Sequence, residues 1–164
     1  MEFLELNLKD KIMMMKLFPL YQNYEAEISK ATIEEIFPNA ELKENIAYFV
    51  EYFGRGITTY IYMINNDFKG FVSFHIDSKV VPGYVGGYNG WGHLAEIYVK
   101  KEMRGLGLGK KMVKKAEEEL VKLNIKKVYL TDLSGNDCFW QSLGYTDTCK
   151  IEPKEGGRIY EKNI

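Results

Sequence analysis

The sequence predicts an α/β (α+β) fold, and three observations carry that prediction. Short runs rich in β-branched and aromatic residues, such as Ile57 to Ile64 and Lys69 to Ile76, alternate with longer segments whose apolar residues recur at helical spacing. A polar triplet, Asn65-Asn66-Asp67, joins two of those runs as a hairpin turn. A glycine-rich stretch, Arg104-Gly105-Leu106-Gly107-Leu108-Gly109-Lys110, stands between an extended segment, Leu94 to Val99, and a helical pattern that runs to about Leu123. No linker or repeat divides the chain, so residues 1–164 read as a single domain, long enough for a full core.

Leu4 to Leu8 alternates weakly and is expected to form a first strand. Asp10 can cap a helix from Lys11, with Ile12, Met14, Met15 and Phe18 as its apolar face until Pro19 interrupts it. The methionine run is read as part of the core. Leu20 to Ser29 continues as helix or loop, and Pro38-Asn39 marks a turn. Leu42 to Phe53 places Ile46, Phe49, Val50 and Phe53 on one helical face, with Gly54 as the stop. The hairpin follows, then a glycine and aromatic loop from Val80 to Gly92. In the helix from Gly107, Leu108, Met112, Ala116 and Leu120 recur at every fourth position, and Lys and Glu fill the solvated face. Val128 to Thr131 is a short strand, Asn136 to Leu143 a short helix ended by Gly144, and Arg158 to Lys162 a final strand.

The glycine stretch carries the chemistry. Gly105, Gly107 and Gly109 alternate with side chains, so several backbone N–H groups can approach one anion. The helix behind adds free donors and the positive end of its dipole. A phosphate or pyrophosphate is the expected ligand. The Rossmann G-x-G-x-x-G spacing is absent, and Gly109-Lys110 is followed by Lys111 where a Walker A loop needs Ser or Thr. The pattern that fits is R-x-x-G-x-G on Arg104, Gly107 and Gly109. It resembles the acetyl-CoA pyrophosphate loop of the GNAT superfamily of N-acetyltransferases. A second segment, Phe139-Trp140-Gln141-Ser142-Leu143-Gly144-Tyr145, resembles the family's F-Y-x-x-L-G-F motif and falls where that motif belongs.

The resemblance spans Ile57 to Tyr145. It implies a mixed central sheet of about six to seven strands flanked by about four helices, splayed between the strand before the glycine loop and the strand after its helix. It also implies direct transfer of an acetyl group from acetyl-CoA to an amine of a small molecule or of a protein or peptide. Backbone groups of Ile97, Tyr98 and Val99 would pair with the pantetheine arm, one N–H there polarising the thioester carbonyl. Amides across Arg104, Gly105, Leu106, Gly107, Leu108, Gly109 and Lys110 would hold the pyrophosphate. Glu96 is the base candidate, at a strand position where many relatives are acidic; it can instead orient the acceptor amine or pair with a lysine. By strict alternation it would share a face with Leu94 and Tyr98. The preceding position, acidic in polyamine-type relatives, is Ala95, which weakens a polyamine assignment. His93 is a second base candidate or a structural residue.

Trp140 stands where many relatives carry the tyrosine that protonates the CoA sulfur, and an indole N–H cannot do this. Tyr98, Tyr145 or solvent would take the role. Trp140 and Asn136 are expected beside the cofactor, with an N-cap as the other role for Asn136. Cys138 reads as a small buried helix residue. Tyr84, Tyr88 and Trp91 would line an acceptor pocket or pack against a neighbouring subunit. The resemblance admits a homodimer.

Bulk properties set the remaining limits. The net charge of −1 gives no general attraction to nucleic acid or to an anionic membrane, and no apolar run is long enough to span a bilayer. The two cysteines have no metal or disulfide spacing, which suits a cytoplasmic location, and no metal is expected. Two alternatives stand beside an N-acetyltransferase: a catalytically impaired acyl-CoA-binding module, and a nucleotide-phosphate-binding protein of another class.

Overall fold

A computed structural model describes residues 2–37, 42–79 and 85–164; the Pro38-Asn39 turn and Tyr84 lie outside them. Strands β1 (Glu2–Glu5), β2 (Thr58–Ile64), β3 (Asp67–Ile76), β4 (Gly92–Val99), β5 (Lys127–Asp132), β6 (Thr146–Ile151) and β7 (Arg158–Asn163) form one seven-stranded sheet in the order β1-β2-β3-β4-β5-β7-β6. Every pairing is antiparallel except β4 with β5, so the sheet is mixed. The helices are α1 (Lys11–Ser29), α2 (Ile33–Ile36), α3 (Leu42–Phe53), α4 (Leu108–Lys122) and α5 (Asp137–Ser142).

The Asp10 carboxylate caps α1, accepting the Ile12 and Met13 N–H groups at 3.0 Å each. Pro19 does not end this helix, contrary to expectation. Its ring lies on the solvent face, so the backbone bond it cannot donate to Met15 is lost on an exposed turn. The apolar stripe is also rotated from the expected one. Met14, Leu17, Phe18, Leu20 and Tyr21 are buried, whereas Ile12 and Met15 face solvent. Helix α2 was not anticipated, although Thr32 and Glu35 close a complete capping box around it. The β2–β3 hairpin turns on Asn65 and Asn66, both left-handed at φ 50° and 62°, the geometry a two-residue hairpin loop demands. β1 begins and ends earlier than the alternation of Leu4 to Leu8 suggests.

Two apolar layers sandwich the sheet. On one face Met14, Leu17 and Phe18 of α1 and Phe49 and Phe53 of α3 pack on Ile61, Phe71 and Tyr98. On the other, Met112, Val113, Ala116 and Leu120 of α4 pack on Val72, Phe74, Leu94, Val128 and Leu130, with Trp140 of α5. Burying one such side chain stabilises the fold by about 1.5–3 kcal/mol. α4 lies close on the sheet because residue 70 is glycine: a Cβ there would meet the Tyr98 carbonyl oxygen and the Met112 Cε. No helix among the described residues is long and apolar enough to cross a membrane.

Candidate active site

The parallel β4–β5 pairing consists of Gly92 with Val128, His93 with Tyr129 and Leu94 with Leu130. Past Leu94 the two strands part, as the resemblance implies. A cleft of about 1150 Å³ opens in the gap, bounded by α1, β4, the glycine loop, α4, the end of β5 and α5. The β5-facing backbone edge of β4 from Ala95 to Val99 lines it.

β4 also carries a bulge. Its register on β3 runs Ile97 with Val72 and Glu96 with Ser73, then Leu94 with Phe74, so Ala95 is the extra residue. The bulge corrects the face assigned by alternation. Leu94 packs under α4 with Val72 and Phe74, while Tyr98 belongs to the α1–α3 layer, and Glu96 lies opposite Ser73 on that same side.

The glycine loop lies at the other end of the cleft. Gly105 and Gly107 adopt φ +75° and +77°, and nothing lies within 4 Å of where a Cβ would stand. Gly107 is the N-cap of α4, and the first helical bond runs from Lys111 N to Gly107 O at 3.2 Å. The Leu108, Gly109 and Lys110 N–H groups therefore have no intrahelical acceptor, which suits an anion such as a pyrophosphate. Leu108 and Lys110 line the cleft, whereas Leu106 points to solvent. Arg104 holds the loop in place: its guanidinium donates to both Glu27 carboxylate oxygens at 2.8 Å, and its Nε donates to the Val99 carbonyl at 2.9 Å.

Glu96 is 6% exposed and lines the cleft. The Ser73 and Tyr52 hydroxyls bond to its carboxylate, yet burial outweighs them and pushes it up to about 7, with the nearby Glu25 carboxylate adding in the same direction. Its Oε2 has no hydrogen-bond partner among the described residues. His93, also on the cleft wall, is driven down to about 3 by burial and by the adjacent His75 ring, and it stacks on Tyr129 at 4.5 Å. A group that weakly basic is poorly matched to an ammonium proton near neutrality.

Other site candidates divide. Tyr98 lines the cleft under the Arg104 guanidinium, 5.6 Å from its ring, and burial raises its hydroxyl. Tyr145 is not on the cleft wall; its hydroxyl donates to Glu117 at 2.9 Å beneath α4, which corrects its candidacy as proton donor. Tyr88 and Trp91 are not among the residues that line this cleft. Tyr88 stacks on Tyr129 at 4.1 Å and donates to Glu161, while Trp91 lies edge-on to Tyr88 and carries the Lys127 ammonium. Trp140 is buried on the cleft wall with Nε1 unpartnered among the described residues. Asn136 occupies the N-cap position of α5 without capping it; its Nδ2 donates to Ser134 Oγ at 2.8 Å, and it lines the cleft. Cys138 is exposed, not buried. Glu25, Tyr52, Ser73 and Glu155 belong to the site and were not anticipated, because only the fold brings their elements to β4. Among the described residues no group of three or more His, Cys, Asp or Glu side chains is placed to hold a metal ion.

Residues 21–145 match the Acetyltransferase (GNAT) family. The chain belongs to the GNAT acetyltransferase family. Solved structures of similar fold include the PaiA N-acetyltransferase from Thermoplasma acidophilum in complex with coenzyme A, at 15% identity and TM-score 0.64 over 100% of both chains. An aminoglycoside 6'-N-acetyltransferase complexed with coenzyme A matches at 13% identity and TM-score 0.70, covering 99% of this GNAT chain and 97% of its own. Tetrahymena GCN5 matches at 18% identity and TM-score 0.66, covering 100% and 96%. No curated protein sequence matches this GNAT chain.

Proposed function

We propose that the protein transfers an acetyl group from acetyl-CoA directly to an amine nitrogen of a small molecule, or of a protein or peptide. The supporting observation is that one cleft holds both a backbone cradle suited to a pyrophosphate and a buried carboxylate titrating near neutrality. Acetyl-CoA, when bound, supplies an acetyl group activated as a thioester. Glu96 accepts the proton that the acceptor ammonium must lose before its nitrogen can attack. The open edge of β4 at Ile97, Tyr98 and Val99 holds the pantetheine arm, and a backbone N–H on that edge donates to the thioester carbonyl oxygen. As the carbon–nitrogen bond forms and the carbon–sulfur bond breaks, the nitrogen loses its second proton to solvent, and the Tyr98 hydroxyl, reprotonated from solvent, or solvent itself gives a proton to the sulfur. Held in line by the loop and the edge, the two reactants gain rate from proximity.

A catalytically impaired acyl-CoA-binding module is favoured by one observation, the buried Trp140 at the position where the family commonly has a proton-donating tyrosine. Thermal unfolding with acetyl-CoA, CoA, ATP and NAD, followed by an amine screen, separates the two. A ligand that binds only the folded state raises the midpoint. Stabilisation by acetyl-CoA and CoA together with amine-dependent release of CoA thiol supports the transferase. Stabilisation without turnover of any amine leaves the binding module. A response to ATP or NAD alone overturns both.

A further inference from the structure

Three of the carboxylates that line the cleft come from different elements: Glu96 from β4, Glu25 from α1 and Glu155 from the β6–β7 connection. They form a graded series, buried at Glu96, half-buried at Glu25 and exposed at Glu155. Glu25 lies close enough to Glu96 to oppose its ionisation, and Glu155 does the same to Glu25. No lysine or arginine among the described residues forms an ion pair with any of the three. Glu27, in contrast, also lines the cleft but is neutralised by Arg104. Unlike a solvated acidic patch, this row ends on an unpartnered oxygen, Glu96 Oε2, inside the protein. Tyr21, Tyr24 and Tyr52 also line the cleft.

Like charges so placed, with no ion-pair partner among the described residues for any of the three, carry a cost that is relieved either by protonation or by a bound cation. One ammonium answers Glu96 alone. We infer that the acceptor carries a second positively charged nitrogen beside the one that reacts, so that it lies along the row from Glu96 past Glu25 to Glu155. This inference rests on the acetyltransferase reading for the reaction itself, but not for the binding.

Two measurements test it. In the first, linear alkyl diamines and monoamines of equal chain length are titrated calorimetrically into the CoA-bound protein. In the second, the same amines are compared by kcat/KM with acetyl-CoA. The diamines are expected to bind and react about tenfold better than the monoamines. Glu25→Gln and Glu155→Gln should each narrow that ratio, and 0.5 M salt should narrow it further at the exposed Glu155 end. Equal use of diamines and monoamines, or a ratio unmoved by both variants, overturns the inference and leaves the acetyltransferase intact. Selective diamine binding without transfer overturns the acetyltransferase and leaves the cationic subsite standing.

Discussion

Replacing Glu96 with glutamine is expected to stabilise the ligand-free protein at high pH. Burial raises the Glu96 carboxyl from the ordinary 4.5 to about 7, so the folded chain holds that proton more tightly than the unfolded chain does. The stability this contributes is fully present below pH 4.5 and is lost as pH rises through about 7. Between pH 5 and pH 8 the wild type should lose about 2.5 kcal/mol through this one group. Glutamine stays neutral throughout and can still accept from Ser73 and Tyr52. Its amide nitrogen, placed where Oε2 has no partner, costs about 1 kcal/mol at every pH. The variant should therefore match the wild type at pH 5 and exceed it by about 2 kcal/mol at pH 8, or about 4–8 °C in midpoint for a chain of this size. Thermal unfolding of both proteins without ligand, in steps from pH 5 to pH 8, reads the difference directly, since other titrating groups are common to both. A difference that does not change with pH would refute the buried charge. A less stable variant at pH 8 would refute it equally.

The same titration should appear in catalysis: kcat/KM of the wild type rises with pH through about 7, and Glu96→Gln lowers kcat by about 10²–10⁴-fold in steady-state assays. Gly107→Val should strain the left-handed N-cap of α4 by about 1–2 kcal/mol and fill the cradle, so that CoA no longer raises the unfolding midpoint. Tyr145→Phe should cost about 1 kcal/mol in denaturant unfolding by removing the bond to Glu117, with kcat unchanged because the hydroxyl is not on the cleft wall. Leu120→Ala, in the fully buried layer under α4, should cost about 2–5 kcal/mol in the same assay.

What could be read from the sequence was what depends on neighbouring residues. The glycine loop was legible because positive φ and free helix-terminal donors are demands on consecutive positions. The order of most elements followed from periodicity for the same reason. Strand β6 was not legible: Thr146 to Ile151 is largely polar, lies at the sheet edge and pairs irregularly around Cys149 at φ 58°. Glu96 does share a face with Tyr98, but Leu94 was misplaced beside them because a bulge is a property of two strands, and nothing in β4 alone announces that Ala95 is the extra residue. Glu25 and Glu155 lie 71 and 59 positions from Glu96 in the chain, by subtraction of their numbers. They line one cleft with it only because the fold brings α1 and the β6–β7 connection there. Pro19 misled because its cost depends on which side of the helix faces water, which tertiary packing decides.

The splay between β4 and β5 also determines how the molecule comes apart. Three residue pairs are the whole of the ladder between them, so backbone pairing divides the sheet into a block of β1 to β4 and a block of β5 to β7. What makes them one cooperative unit is side-chain packing, with α4 resting on Val72, Phe74 and Leu94 of one block and on Val128 and Leu130 of the other. Damage to that helix uncouples two half-sheets, each of which keeps its own ladders. The gap proposed to admit an extended ligand is thus also the line along which the fold is expected to part.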